Sequence, residues 1–204
     1  MPIHLGKPSP YRKALEAHTR RWQGCTECGL CSTRTHVVLF RGCVPSDIVF
    51  IGEAPGVVEN DLGLPFTGPS GKLLDSILDE VAERTSLPSR KRLPTYSITN
   101  VVACIPRDLT NHVRADNKVR PPTEEEIHAC SPRLLEFLNI AKPSTIILVG
   151  KIAGKAKVIT KLKPVPTIHT MVHPAYMLRS GGKTSVEYRR SVLTLTNIFQ
   201  GLVK

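Results

Sequence analysis

DIVFIGEAPGVVENDLGLPFTG, residues 47–68, is the stretch on which the reading of this chain turns. From Ile48 to Ile51 every residue is apolar, and three of the four are β-branched. A short apolar run closed by glycine is the pattern of a buried strand. The loop behind it sets Glu53, Glu59 and Asp61 among four glycines and two prolines. Carboxylates therefore gather at the carboxyl end of a buried strand, where ligands bind in open α/β sheets.

The same alternation continues on both sides. Residues 11–23 read as a short basic helix, with Tyr11, Leu15, His18 and Trp22 at three- and four-residue spacing and Gly24 as its stop. Residues 35–40 are a second β-rich run ahead of 47–51. Residues 71–82 place Leu73, Leu74, Ile77, Leu78 and Val81 on one helical face. Residues 96–102 form another strand, and 105–121 are polar, basic and without period, the mark of a long loop. Thr123 and Glu126 make a capping box for a helix running to about Asn139. A strand at 145–149, a short helix at 151–160, a strand at 166–171 and a closing helix at 185–199 complete the chain. Strands alternating with helices predict an α/β fold whose sheet is covered on both faces.

The 204 residues, 41% of them hydrophobic, suit one core, hence one domain over 1–204 with an N-terminal helical segment at 1–24 and a loop insertion at 105–122. Lys and Arg number 28 against 17 Asp and Glu, a formal charge of +11, which suits a polyanionic partner, nucleic acid foremost. No apolar run approaches the roughly 18 residues of a membrane span, and the N-terminus lacks an apolar segment of signal-peptide length. A cytoplasmic or nucleoid setting follows as the expectation, and such a setting keeps thiols reduced.

CTECGLC, residues 25–31, spaces Cys25, Cys28 and Cys31 as two successive C-x-x-C steps. Cys104 closes a predicted strand and Cys130 lies in the helix that starts near Thr123. Two close and two distant cysteines can build a four-thiolate site for zinc or for an iron-sulfur cluster. The missing second C-x-x-C knuckle of a zinc ribbon tilts the choice toward a cluster. Five cysteines compete for four places, and Cys43, in a connection between strands, reads as a bystander.

TRTHVVLFRG, IVFIGEAPG, PFTGPSGKLLD, ITNVVAC and VHPAYMLR occur in this order. Together with the cysteines they resemble the uracil-DNA glycosylase superfamily, specifically its iron-sulfur branch, family four. The resemblance runs from about Cys25 to the end of the chain. It implies a three-layer α/β/α fold with a central, mostly parallel, four-stranded sheet. It also implies a [4Fe-4S] cluster away from the reaction centre and hydrolysis of the N-glycosidic bond of deoxyuridine in DNA. Cys25, Cys28, Cys104 and Cys130 match the family's cluster ligands, zinc being the alternative occupant, and Cys31 has no counterpart.

A base inside a duplex must be rotated into a pocket before its bond to the sugar can be cut, which calls for an aromatic face and specific hydrogen bonds. The resemblance assigns the stacking face to Phe66 and the reading of the polar edge of uracil to Asn100. It assigns the donor that stabilises charge developing near uracil O2 to His173. The resemblance places Gly52 and Ala54 in the same substrate pocket. Ala54 fills the slot where other superfamily members carry a catalytic aspartate, so Glu53 is expected to line the reaction centre. Glu59 is expected to flank the C5 edge of uracil and help exclude a thymine methyl. Arg107, Lys118, Arg120, Arg179 and Lys183 are candidate phosphate contacts, and Met177 or Leu178 a wedge into the base stack.

The chain departs from the family around Cys104, which is flanked by Ala103 and Ile105 where basic residues are usual, and in a longer stretch to Cys130. His112 falls in that insertion, without the basic motif that accompanies a sugar-trapping histidine in one subgroup. The reading is a monomeric, monofunctional glycosylase acting on uracil-containing DNA. The alternative is a relative without turnover that serves as a DNA-binding or replication-accessory module.

Overall fold

The computed structural model describes residues 10–89, 91–107 and 119–204. Five strands form one sheet: β1 (Phe40–Gly42), β2 (Ile48–Gly52), β3 (Tyr96–Asn100), β4 (Thr145–Val149) and β5 (Thr167–Met171), in the order β1-β3-β2-β4-β5. The last four are parallel neighbours, and β1 runs antiparallel along β3, pairing Phe40 with Thr99 and Gly42 with Ser97. The expected four-stranded sheet is thus corrected to five. The run expected as a strand at 35–40 reaches the sheet only at Phe40. Its earlier residues bond elsewhere, Thr35 N–H to Asn60 Oδ1 and Val38 N–H to Ala103 O.

Side-chain alternation along the strands divides the core. Ile48, Phe50, Ile98, Ile147 and Val149 face α3 (Pro69–Arg84) and α6 (Val186–Gly201). Val49, Ile51, Ile146 and Leu148 face α4 (Glu124–Ala141), with α1 (Pro10–Trp22) packed outside it. The result is the helix-sheet-helix sandwich that a period of two along buried strands demands. Leu73, Leu74, Ile77, Leu78 and Val81 of α3 are all buried. The capping box forms as its spacing predicts: Thr123 Oγ1 accepts from Glu126 N–H at 3.2 Å, and Glu126 Oε2 accepts from Thr123 N–H at 2.8 Å.

Two short helices sit where loops were expected, α2 (Val57–Leu62) and α5 (Pro174–Arg179). Residues 151–160, expected as one α-helix, form two 3₁₀ turns, Ile152–Lys155 and Lys157–Lys161. Gly154 and the β-branched trio Val158, Ile159 and Thr160 weaken a regular helix there.

Candidate active site and cysteine centre

The carboxyl ends of β2 and β3, helix α2 and the start of α5 surround a cavity of about 660 Å³. Gly52 ends β2 opposite Asn100 at the end of β3. A Cβ on Gly52 would lie 2.4 Å from Asn100 Oδ1 and 2.5 Å from two ring carbons of Phe66, so glycine lets the amide and the ring close over the strand end. Asn100 is 1% exposed, and its Oδ1 has no hydrogen-bond partner among the described residues. An unmatched buried carbonyl costs about 1–3 kcal/mol, which a ligand's donor would remove.

Phe66 holds φ at 55°, a left-handed conformation that costs a non-glycine residue about 1–2 kcal/mol. Its surroundings impose it. Arg41 of β1 donates to Pro65 O at 2.9 Å, to Phe66 O at 3.2 Å and to Asp75 at 2.5 Å. A Cβ on Gly71 would fall 1.8 Å from Phe66 O, so α3 starts against the strained peptide only because residue 71 is glycine. The Phe66 ring then faces His173, with centroids 6.0 Å apart.

His173 is the N-cap of α5, and its Nδ1 accepts the Ala175 N–H at 3.1 Å. A neutral ring that accepts at Nδ1 carries its proton on Nε2, which becomes a donor. Burial, then the nearby Arg179, holds the His173 pKa below 6.5, with Glu59 acting weakly the other way. Gly150, at φ 87°, lies directly behind the ring, where a Cβ would meet that of His173 at 3.0 Å.

The two glutamates differ in what they do. Glu53 follows β2, half-buried, its carboxylate making no hydrogen bond among the described residues; burial raises its pKa above 4.5, against the pull of Lys155. Glu59 is a brace. Its Oε2 accepts Gly56 N–H at 3.1 Å, and its Oε1 accepts Thr67 N–H at 3.0 Å and Gly68 N–H at 2.7 Å, tying both ends of the loop together. Ala54 lines the cavity between them in sequence and offers no titratable group.

A second, smaller cavity is lined by Cys25, Cys28, Cys104 and Cys130; Cys31 is not on it, and Cys43 is exposed. Cys130 Sγ accepts from Ala103 N–H at 3.4 Å and from Arg133 Nη2 at 3.6 Å, and Cys104 Sγ accepts from Arg34 Nη1 at 3.8 Å. Burial pushes the Cys104 thiol up to about 12 against the pull of Arg34, with Cys130, Cys28 and Cys25 adding to the rise. Four such sulfurs become thiolates together only around bound positive charge. No group of His, Cys or acidic side chains among the described residues is arranged to hold a single metal ion.

Residues 40–195 match the Uracil DNA glycosylase superfamily. A type-4 uracil-DNA glycosylase of Thermotoga maritima is 35% identical over 192 residues, 88% of this chain and 89% of its own. The type-4 enzymes of Pyrobaculum aerophilum and Archaeoglobus fulgidus are each 34% identical, over 66% and 70% of this chain and 59% and 63% of theirs. The chain belongs to the uracil-DNA glycosylase superfamily, in its type-4 branch.

Around this candidate pocket the expected DNA contacts separate. Of the two residues expected as alternative wedges, Met177 is fully buried in the core, and Leu178, the next residue of α5, turns outward and is 40% exposed. Arg179 lines the cavity. Arg120 also lines it, but its guanidinium is held by Glu126 at 2.7 and 2.9 Å. Arg107 bridges to Val119 with its Nε buried, and Lys183 lies in a 3₁₀ turn. Lys118 and His112 lie outside the described residues. Sequence reasoning missed Arg41 of β1 and Gly150 just after β4, which support Phe66 and His173 and carry no local signal. It also missed Tyr176, half-exposed at the cavity, although the H-P-A-Y segment contains it.

Proposed function

We propose that this protein is a monofunctional uracil-DNA glycosylase that hydrolyses the N-glycosidic bond of deoxyuridine and leaves an abasic site, the substrate of later base-excision steps. One observation carries the reading: Phe66, Asn100 and His173 meet at a single cavity with an aromatic face, an unmatched carbonyl and an uncommitted N–H. A relative that only bound DNA would bear the cost of the orphaned Asn100 carbonyl and the strained Phe66 for nothing.

In this mechanism uracil swings out of the helix and lies on Phe66, its amide edge paired with Asn100. As the C1′–N1 bond breaks, its electron pair moves onto uracil, and His173 Nε2–H donates to O2 where the charge collects. Glu53 stabilises the sugar as it becomes positive and accepts a proton from the water that adds to C1′, a task helped by its raised pKa. Glu59, whose oxygens are occupied by three backbone N–H groups, positions the loop rather than reading the C5 edge. Leu178 wedges into the gap left by the base, and Arg179 meets phosphate.

Cys25, Cys28, Cys104 and Cys130 line one cavity yet, among the described residues, form no group arranged to hold a single metal ion, which favours a [4Fe-4S] cluster over zinc; three N–H bonds to their sulfurs would support its negative charge. When bound, the cluster ties the segment after α1 to the end of β3 and to α4. Among the described residues no helix is long and apolar enough to cross a membrane.

The test is incubation with an oligonucleotide carrying one uracil, followed by alkali. Scission at uracil alone is expected; intact strands at large enzyme excess would refute the activity. Purified protein should contain iron and absorb at about 400 nm, and zinc without iron would overturn the cluster.

A further inference from the structure

Arg133, on α4, is 1% exposed and forms no ion pair with a carboxylate among the described residues. Glu136, one turn along, is engaged by Trp22 Nε1 at 2.9 Å and Arg21 Nη1 at 3.3 Å. A guanidinium does not give up its proton, and a buried charge without a counter-charge is costly by several kcal/mol. The nearest group able to carry a compensating negative charge is sulfur. Nη2 reaches Cys130 Sγ at 3.6 Å, and the same nitrogen donates to Asn100 O at 2.6 Å and Val101 O at 2.8 Å. Nη1 donates to Thr99 Oγ1 at 3.0 Å, and Nε–H finds no partner among the described residues.

One side chain therefore touches both centres. We propose that Arg133 is a positioning residue, the buried counter-cation of the four-cysteine centre and the strut that fixes Asn100 relative to it. This inference rests on the uracil-cleaving, cluster-bearing reading above. Two consequences follow from the contacts. Positive charge and an N–H bond at a cluster sulfur favour the reduced state, so Arg133 raises the cluster's potential. Its grip on the carbonyls of residues 100 and 101 holds the end of β3, from which the Asn100 amide projects between Gly52 and Phe66. Occupancy of the cysteine centre is thereby linked to how well uracil is read.

The experiment uses the iron-bearing protein as purified, with Arg133→Met and Arg133→Lys. Three quantities are measured: cluster midpoint potential by spectroelectrochemical titration, affinity for free uracil by calorimetry, and the KM-against-kcat split on a uracil oligonucleotide. Arg133→Met should lower the potential and weaken free uracil by roughly tenfold, the net worth of about one hydrogen bond. Arg133→Lys keeps the charge without the fork, so its potential should stay near wild type while uracil weakens. A residue that merely fills space would change thermal stability and leave potential and uracil affinity alone; that result in Arg133→Met overturns the inference. If Arg133→Met does not fold, wild-type uracil affinity in Arg133→Lys overturns it instead. A wild-type protein without iron or without uracil release would bring down this inference together with the reading beneath it. An active, iron-bearing wild type beside unchanged variants brings down this inference alone.

Discussion

Gly52→Ala probes the pocket with a single methyl group. The new Cβ would stand 2.4 Å from Asn100 Oδ1 and 2.5 Å from two Phe66 ring carbons, whereas such atoms rest at about 3.5 Å. The amide and the ring must each withdraw by about 1 Å. Gly52 is not among the glycines with a left-handed backbone, so the strand itself accepts alanine and the conflict falls on these two side chains. Overpacking of this kind costs about 1–3 kcal/mol of stability. A reacting group moved by 1 Å costs on the order of a hundredfold in rate, or about 2.7 kcal/mol in the barrier. The assay is single-turnover cleavage of a uracil oligonucleotide with enzyme in excess, beside DNA binding by anisotropy and a thermal melt. Gly52→Ala should fold, retain iron and bind DNA nearly as wild type, yet cleave about a hundredfold more slowly. A rate within about threefold of wild type would show that Phe66 and Asn100 need not sit where the structure holds them.

His173→Ala should lose about 10²–10³ in single-turnover rate. Because burial holds the His173 pKa below 6.5, the ring is neutral at neutral pH and gains no charge as pH drops through 6.5; a rate that climbs there would contradict a neutral donor. Met177→Ala should lower unfolding stability by about 2–5 kcal/mol. Leu178→Ala should change stability by less than about 0.5 kcal/mol and slow cleavage more on duplex than on single strands, and equal slowing on both would remove it as the wedge. Burial alone would raise the Asp47 pKa, but bonds from Lys204, Thr95 and Arg92 outweigh it and hold the carboxyl at about 2 rather than 3.8. That difference contributes roughly 2 kcal/mol, fully present above 3.8 and lost as pH falls through about 2. Urea denaturation of Asp47→Asn should show this deficit at neutral pH and a closing gap in acid.

The buried strands and long amphipathic helices were legible because burial on one or two faces writes its period into the residues themselves. The edge strand β1 was not, since three residues that pair with Thr99, Ile98 and Ser97 carry no period and depend on a partner more than fifty residues away. The same limit applies to the site. Phe66, Asn100, His173 and the four cysteines stand in motifs and could be named, but what holds them is non-local: Arg41 behind Phe66, Gly150 behind His173, Arg133 between Cys130 and Asn100. Met177 and Leu178 show the complementary case. Adjacent residues of a six-residue helix point about 100° apart, and only the packing of α5 tells which one is core.

The glutamates of the opening loop illustrate how backbone amides sort two identical side chains into different work. Protonating Glu59 would weaken its acceptance of three N–H bonds at once and release Thr67 and Gly68 from Gly56, so a proton-accepting role there would loosen the loop that carries Phe66. Glu53 has no such commitment among the described residues, and its burial makes a proton welcome. Glu59→Gln should therefore harm the position of Phe66, weakening binding of free uracil while leaving the acid limb of the pH-rate profile in place. Glu53→Gln should do the reverse, abolishing that limb with uracil affinity intact. If Glu59→Gln moves the acid limb and Glu53→Gln does not, the assignment is inverted, and the brace is the base.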